Sequence, residues 1–176
     1  FYLSAISPLI RPEVNMQNIL DTADVLNAAI MLEERGARFY ADAASTSTGK
    51  EKELLKRLAE METGHARYFA NILAEFEKKS QQIPTEKNEE GEAYLQALTS
   101  DRIISTECQI EKGDTYPEIL EKAMLIEKNS VFFYSSVKYS LLEGMPAADI
   151  DRLIGEEISH FKALSDALLA WRNLNK

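Results

Sequence analysis

One cysteine, Cys108, stands alone in a chain of 176 residues. Its isolation excludes an intramolecular disulfide and any metal site built from several thiolates, and it fits a reducing compartment. The side chain itself reads as a half-buried small apolar group. Long hydrophobic runs are missing as well. The opening Phe1 to Ile10 is mildly apolar, yet it is too short to span a bilayer and lacks the basic start of a secretory signal. A cytoplasmic protein without a membrane partner is expected. Positive charge is scarce: 20 Lys and Arg stand against 29 Asp and Glu, for a formal net charge of -9. Nucleic-acid grooves and anionic membrane surfaces select clustered Lys and Arg, so neither is an expected partner, whereas small cations suit this field.

Glycine and proline are few, with seven and five respectively, which leaves long uninterrupted stretches. These are rich in Ala, Leu, Glu and Lys and show no sustained period-two alternation, so the fold is expected to be all-α. A first helix is predicted from about Thr22 to Ala44, capped by Asp21 and stopped in the Ser45 to Gly49 cluster. A second runs from about Lys50 to Lys79. A third long helix begins near Pro117, which a first turn tolerates, and ends at Gly144; a fourth runs from Pro146 to about Asn173. Residues 80–116 are too many for a simple turn and hold a short predicted helix, Glu89 to Thr99, carrying Tyr94, Leu95 and Leu98. Two tight antiparallel helical hairpins joined by one long crossover, between helices two and three, is the connectivity of a ferritin-like four-helix bundle. Residues 21–174 form this one domain, and residues 1–20 are an N-terminal extension with no assigned role. The charged run Glu86 to Glu92 reads as a solvated loop and helix start.

Each long helix has an apolar seam at alternating steps of three and four residues, and each seam contains an acid. The first reads Leu26, Ala29, Glu33, Gly36, Tyr40, Ala43, and the second Leu55, Leu58, Glu62, His65, Phe69, Ile72, Phe76. The third reads Leu120, Ala123, Glu127, Ser130, Tyr134, Val137, Leu141, and the fourth Ile150, Leu153, Glu157, His160, Leu164, Ala167, Trp171. A buried carboxylate without a partner costs several kcal/mol. No Lys or Arg lies on these seams, so a pair of divalent cations is the simplest source of neutralising charge.

The only two histidines sharpen this reading, because each follows a Glu by three residues: Glu62-Thr63-Gly64-His65 and Glu157-Ile158-Ser159-His160. At that spacing both side chains leave the helix on one face. Carboxylate with imidazole suits iron, manganese or zinc better than calcium or magnesium. The halves also repeat. Tyr40 and Tyr134 each lie seven residues after a lone Glu, and Ala29-Ile30-Met31-Leu32-Glu33-Glu34 resembles Ala123-Met124-Leu125-Ile126-Glu127-Lys128. Two hairpins related by a pseudo-twofold would supply three ligands each. Glu34, Glu60 and Glu156 fall off the seams and read as solvated helix faces.

These residues make the chain similar to the rubrerythrin-like branch of the ferritin-like di-iron proteins. The resemblance runs from about Asp21 to Asn173. Its most specific parts are Leu32-Glu33 through Tyr40, Leu58-Ala59-Glu60-Met61-Glu62 through His65, and their counterparts in the second half. A Glu from each of two helices, with Glu-x-x-His from each of the other two, is the ligand pattern of such di-iron bundles. The resemblance implies two iron ions bridged by Glu62 and Glu157, with Glu33 and Glu127 as terminal ligands and His65 and His160 serving one metal each. Tyr40 and Tyr134 are expected to bond a ligand carboxylate of the opposite hairpin, with core filling as the other reading. Full-length rubrerythrins also carry a four-cysteine rubredoxin module, which the single Cys108 does not allow in this chain. They place a further Glu three residues after the lone Glu of the third helix, where this sequence has Ser130. That difference counts against efficient peroxidase chemistry.

Three functions follow from the resemblance. The first is an oxidoreductase that reduces O2 or hydrogen peroxide with electrons from an external donor. The second is a ferroxidase or iron-handling protein, and the third is a metal-stabilised bundle without catalysis. A homodimer is the expected assembly.

Overall fold

The computed structural model describes residues 21–80, 89–99, 109–141 and 145–175. The expected extension 1–20, Cys108 and the predicted stop at Gly144 lie outside the described residues. Five helices appear in chain order: α1 Thr22–Thr46, α2 Gly49–Ser80, α3 Glu89–Thr99, α4 Tyr116–Leu141 and α5 Ala147–Leu174. All the long helices match the predicted ones to within three residues at the described ends, and the fold is all-α.

Local chemistry sets the helix ends. The Asp21 carboxylate accepts from the backbone N–H of Ala23 at 2.7 Å, which satisfies one of the free donors at the start of α1. Only Ser47 and Thr48 separate α1 from α2. Ser47 donates its hydroxyl back to the Ala43 carbonyl at 2.8 Å, and Gly49 takes a φ of 57°, a left-handed conformation that a side chain would strain. The link is therefore short, and α2 turns straight back along α1. At the start of α4, the backbone N–H and hydroxyl of Thr115 both donate to Glu118, at 2.8 and 2.6 Å. Pro117 sits in the first turn, where its missing N–H costs nothing.

The packing is that of two hairpins. α1 lies chiefly on α2 and α4 chiefly on α5, while α1 and α4 meet along a narrower seam and α3 rests on α1. The apolar core forms two clusters. One joins Val25, Leu26, Ala29 and Leu32 of α1 to Phe69 of α2, Leu95 and Leu98 of α3, Tyr134 and Val137 of α4, and Ile150 and Leu153 of α5. The other joins Phe39, Tyr40 and Ala43 to Leu55, Leu58, Leu120, Ala123, Leu164 and Leu168. Early residues of α1 thus share a cluster with late residues of α2, and late residues of α4 with early residues of α5, so each hairpin is antiparallel. Between the clusters lies a level of the bundle occupied by acids. Truncating one of the fully buried leucines, such as Leu55 or Leu164, to Ala would cost about 2–5 kcal/mol. No described helix is long and apolar enough to cross a membrane.

Candidate metal centre

The middle level holds Glu33 on α1, Glu62 and His65 on α2, Glu127 on α4, and Glu157 and His160 on α5. The four glutamates and His160 are almost wholly buried, while the His65 side chain keeps 12% of its surface exposed. Their seam positions put them there: each Glu is flanked one turn away by buried residues such as Ala29, Leu58, Ala123 and Leu153, so burying the apolar stripe buries the acid with it.

Side-chain ligand atoms converge in two groups. Glu33, Glu62, His65 and Glu157 each offer an atom within 4.8 Å of the others, and so do Glu62, Glu127, Glu157 and His160. Glu62 and Glu157 belong to both groups. His65 Nδ1 lies 3.3 Å from Glu33 Oε2 and 3.2 Å from Glu157 Oε1. His160 Nδ1 lies 3.2 Å from Glu62 Oε1, 3.5 Å from Glu127 Oε2 and 3.6 Å from Glu157 Oε2. The two imidazole planes are nearly parallel, 17° apart, with centroids separated by 6.0 Å.

Beyond the His65 Nδ1–Glu33 Oε2 contact, several of these close approaches leave atoms without a hydrogen bond. Among the described residues, Glu62 Oε1, Glu127 Oε2, both carboxylate oxygens of Glu157 and both ring nitrogens of His160 are buried with no hydrogen-bond partner. Several of them are nonetheless within ion-pair distance of one another, gathered in the two groups above. Orphaned buried polar atoms of this kind are rare and demand a partner. A pair of divalent cations would balance all four carboxylates in their ionised form. The donor set fits metal, and it fits a transition metal bound by oxygen and nitrogen.

Without an ion the charges distort one another. Burial, reinforced by Glu62, holds Glu33 well above the usual carboxylate range despite the pull of His65. Glu127 is likewise raised by burial, against the pull of His160 and with Glu62 and Glu157 adding repulsion. Burial also works against Glu62 and Glu157, but hydrogen-bonding neighbours overcome it and both carboxyls sit below the usual range. For His160, burial opposes the charge, yet Glu127, Glu157 and Glu62 push it up to about 12. His65 is raised in the same way by Glu157, Glu33 and Glu62. Such opposed shifts within one buried cluster are characteristic of functional sites.

The tyrosines take the positions expected of them. Tyr40 donates its hydroxyl to Glu127 and Tyr134 donates to Glu33, each across to the other hairpin. Ser130 is buried, and Gly36 faces Glu62 with no side chain of its own. Glu34 and Glu60 are exposed, as expected, but Glu156 is not simply a solvated face. Its side chain is 33% exposed, and its Oε2 lies 2.9 Å from His65 Nε2. Sequence reading missed this contact because Glu156 is one step off the seam. The available signal was that an acid immediately precedes one Glu-x-x-His motif and not the other. Trp171, read as core, is only partly buried.

The family model for rubrerythrin matches residues 24–116, more than half of the chain. No curated protein and no solved structure matches it. The matched span covers α1 to α3 and ends as α4 begins, so it includes Glu33, Glu62 and His65. Glu127, Glu157 and His160 lie beyond it and are brought to the same level by the pairing of the hairpins. This chain belongs to the rubrerythrin family of ferritin-like proteins, and it carries a buried Glu/His cluster of the kind that holds metal.

Proposed function

We propose that Glu33, Glu62, His65, Glu127, Glu157 and His160 hold two iron ions, with Glu62 and Glu157 bridging, and that the centre reduces hydrogen peroxide or O2. Electrons come from an external donor, and a cytoplasmic setting fits both that supply and the single cysteine. The observation that carries this reading is the pair of four-residue groups sharing Glu62 and Glu157. Two ions side by side could share these two carboxylates and take one private carboxylate and one imidazole each.

Bound iron would supply reversible one-electron chemistry and polarisation of an O–O bond. The protein's part is to hold and insulate that chemistry. Four carboxylates cancel the charge of two divalent cations, which makes a neutral centre tolerable between two apolar clusters. Tyr40 and Tyr134 fix the carboxylates of Glu127 and Glu33 and keep their own protons, because burial and then the adjoining carboxylates push both phenols well above their usual value. In peroxide reduction, two electrons from the donor and two protons from solvent convert one peroxide to two waters. The His65 side, with 12% of the side chain exposed against 4% for His160, is the more open to solvent.

A second reading, ferroxidase, is favoured by one observation. Ser130 stands at the place where the resemblance calls for a further carboxylate, and it is buried. With four Glu and two His, the set is that of a centre that oxidises Fe(II) rather than of an efficient peroxidase.

The test begins with metal content per chain for protein purified without chelator, beside a Glu62→Ala, Glu157→Ala double variant. Near two iron ions in the first and almost none in the second supports the centre. No metal in either, with both folded, removes it. Peroxide consumption that continues as long as a reductant is supplied supports the oxidoreductase, whereas accumulation of ferric product without reductant consumption supports the ferroxidase.

A further inference from the structure

The two halves of the cluster repeat in sequence but not in their outer contacts. His65 presents Nδ1 to the carboxylates and Nε2 to Glu156 at 2.9 Å. Glu156 Oε2 accepts from Nε2, so that when Nδ1 serves a metal ion the neutral ring keeps its one proton on Nε2. The other oxygen of Glu156 lies 3.4 Å from Arg152 Nη1. Arg152 in turn lies over the ring of Tyr68, 5.9 Å from its centroid, and Tyr68 donates to Asp149 at 2.8 Å. Glu156 is thus held from behind while it holds His65.

Among the described residues, His160 has no counterpart to this arrangement. Its Nδ1 faces the carboxylates as that of His65 does, but its Nε2 is buried without a hydrogen-bond partner. Glu156 immediately precedes Glu157, the first residue of the second Glu-x-x-His motif, and reaches the histidine of the first. By the pseudo-twofold, the residue that would serve His160 immediately precedes Glu62. That residue is Met61, 40% exposed, whose thioether is at best a weak acceptor and carries no charge.

We propose that Glu156 is a positioning residue that makes the two metal positions unequal, fixing the tautomer and orientation of His65 and so giving the Glu33–His65 position the tighter ion. The proposal rests on the two-ion reading above. A carboxylate on the far nitrogen of a ligating imidazole locks the ring and raises its basicity, and losing such a partner lowers metal affinity about 10- to 100-fold. The Glu127–His160 position lacks this support and fills second. An unequal pair has a functional consequence: the more weakly held position is the one from which an ion can move or be exchanged while the other stays anchored.

The experiment titrates Co(II), whose visible absorption reports its ligands, into metal-free protein. Wild type is expected to bind two ions in two resolved steps. Glu156→Ala is expected to weaken the tighter step about 10- to 100-fold and leave the weaker unchanged, so that the steps merge. Glu156→Gln, which keeps an acceptor oxygen without the charge, should lie between. Met61→Glu, which offers His160 the missing partner, should tighten the weaker step. Because Glu156 is partly exposed, a general loss of structure is separated by placing the Ala substitution in two single-position backgrounds. It must weaken binding in Glu127→Ala, where the His65 position remains, and leave Glu33→Ala, where the His160 position remains, unaffected. Equal losses in both backgrounds, or none in either, overturn the proposal while leaving the two-ion centre standing. A wild type that binds fewer than two Co(II) ions overturns both.

Discussion

Tyr40 on α1 donates its phenolic proton to Oε1 of Glu127 on α4, in the opposite hairpin. The relation is reciprocal, because Tyr134 on α4 donates to Glu33 on α1. Each hairpin therefore supplies a lone carboxylate and also the donor that holds its partner's. Both phenols are fully buried, so neither carboxylate can exchange its tyrosine for water. The lacing couples the pairing of the hairpins to the geometry of the cluster.

Replacing Tyr40 by Phe leaves the shape of the core nearly unchanged and takes a donor from a buried acid. The expected cost to the metal-free protein is about 1–3 kcal/mol, the penalty for an unsatisfied buried acceptor. Tyr134→Phe should cost a similar amount, and because Glu33 and Glu127 both adjoin Glu62 and Glu157 the costs in the double variant should depart from simple addition. Urea denaturation measures this directly. Costs near zero for both would make the tyrosines space-fillers.

The pH dependence of stability should change sign with metal. In the metal-free protein Glu33 and Glu127 are raised above the ordinary value of 4.5, so folding takes up protons and stability falls as pH rises past that value. The histidines act in the same direction. The His160 contribution is complete below its ordinary value of 6.5 and is lost as pH climbs toward about 12. Glu62 and Glu157, held low, contribute stability that is present above 4.5 and lost only as pH falls below it. From neutral pH upward the metal-free melting temperature should therefore decline. Metal competes with protons for the same atoms, so the loaded protein should instead gain stability from about pH 5 to 8. Calorimetry of both forms across this range decides it, and parallel slopes would mean that the ion is not held by these groups. A Glu33→Gln, Glu127→Gln variant, which needs no proton uptake at these positions, should flatten the metal-free slope.

Single-ligand variants should divide the site in two. Glu33 belongs only to the group containing His65, and Glu127 only to the group containing His160. Glu33→Ala and Glu127→Ala should each lower metal content from two ions to one, whereas Glu62→Ala or Glu157→Ala should disturb both positions. Elemental analysis of the four purified variants checks the pattern. Equal losses from all four would contradict the sharing of Glu62 and Glu157.

Most of this site was legible in the sequence because a helix converts spacing into facing. An acid at a seam position must enter the core wherever its apolar neighbours go, so Glu33, Glu62, Glu127 and Glu157 could be placed at one level before any coordinates. Asp21 and the Ser45 to Gly49 cluster bounded α1 for reasons of capping and turn chemistry, which are equally local. The contact of Glu156 was only hinted at, by an acid immediately before one Glu-x-x-His motif and not the other. Whether a residue one step off a seam meets the opposite helix depends on how α5 is rotated and spaced against α2, and no local pattern encodes that rotation. Trp171, late in α5, is likewise only partly buried.

Gly36 offers a test in which local and tertiary effects can be separated. It lies inside α1, where a glycine costs about 0.8–1.0 kcal/mol relative to Ala. A Cβ placed there would lie 3.5 Å from Glu62 Cγ and 3.6 Å from Glu62 Oε2, which is ordinary van der Waals contact. Gly36→Ala should therefore stabilise the protein by up to about 1 kcal/mol with metal content intact. A larger side chain extends beyond a Cβ that already touches Glu62, whose carboxylate both ligand groups share. Gly36→Leu should push that carboxylate aside and lower metal content at both positions, even where the bundle remains folded. Thermal denaturation and metal analysis of the two variants together give the answer. If Leu were tolerated with two ions still bound, the bundle would have to yield around Glu62 more readily than its packing implies, and if Ala already removed metal, the glycine would be required by the site itself.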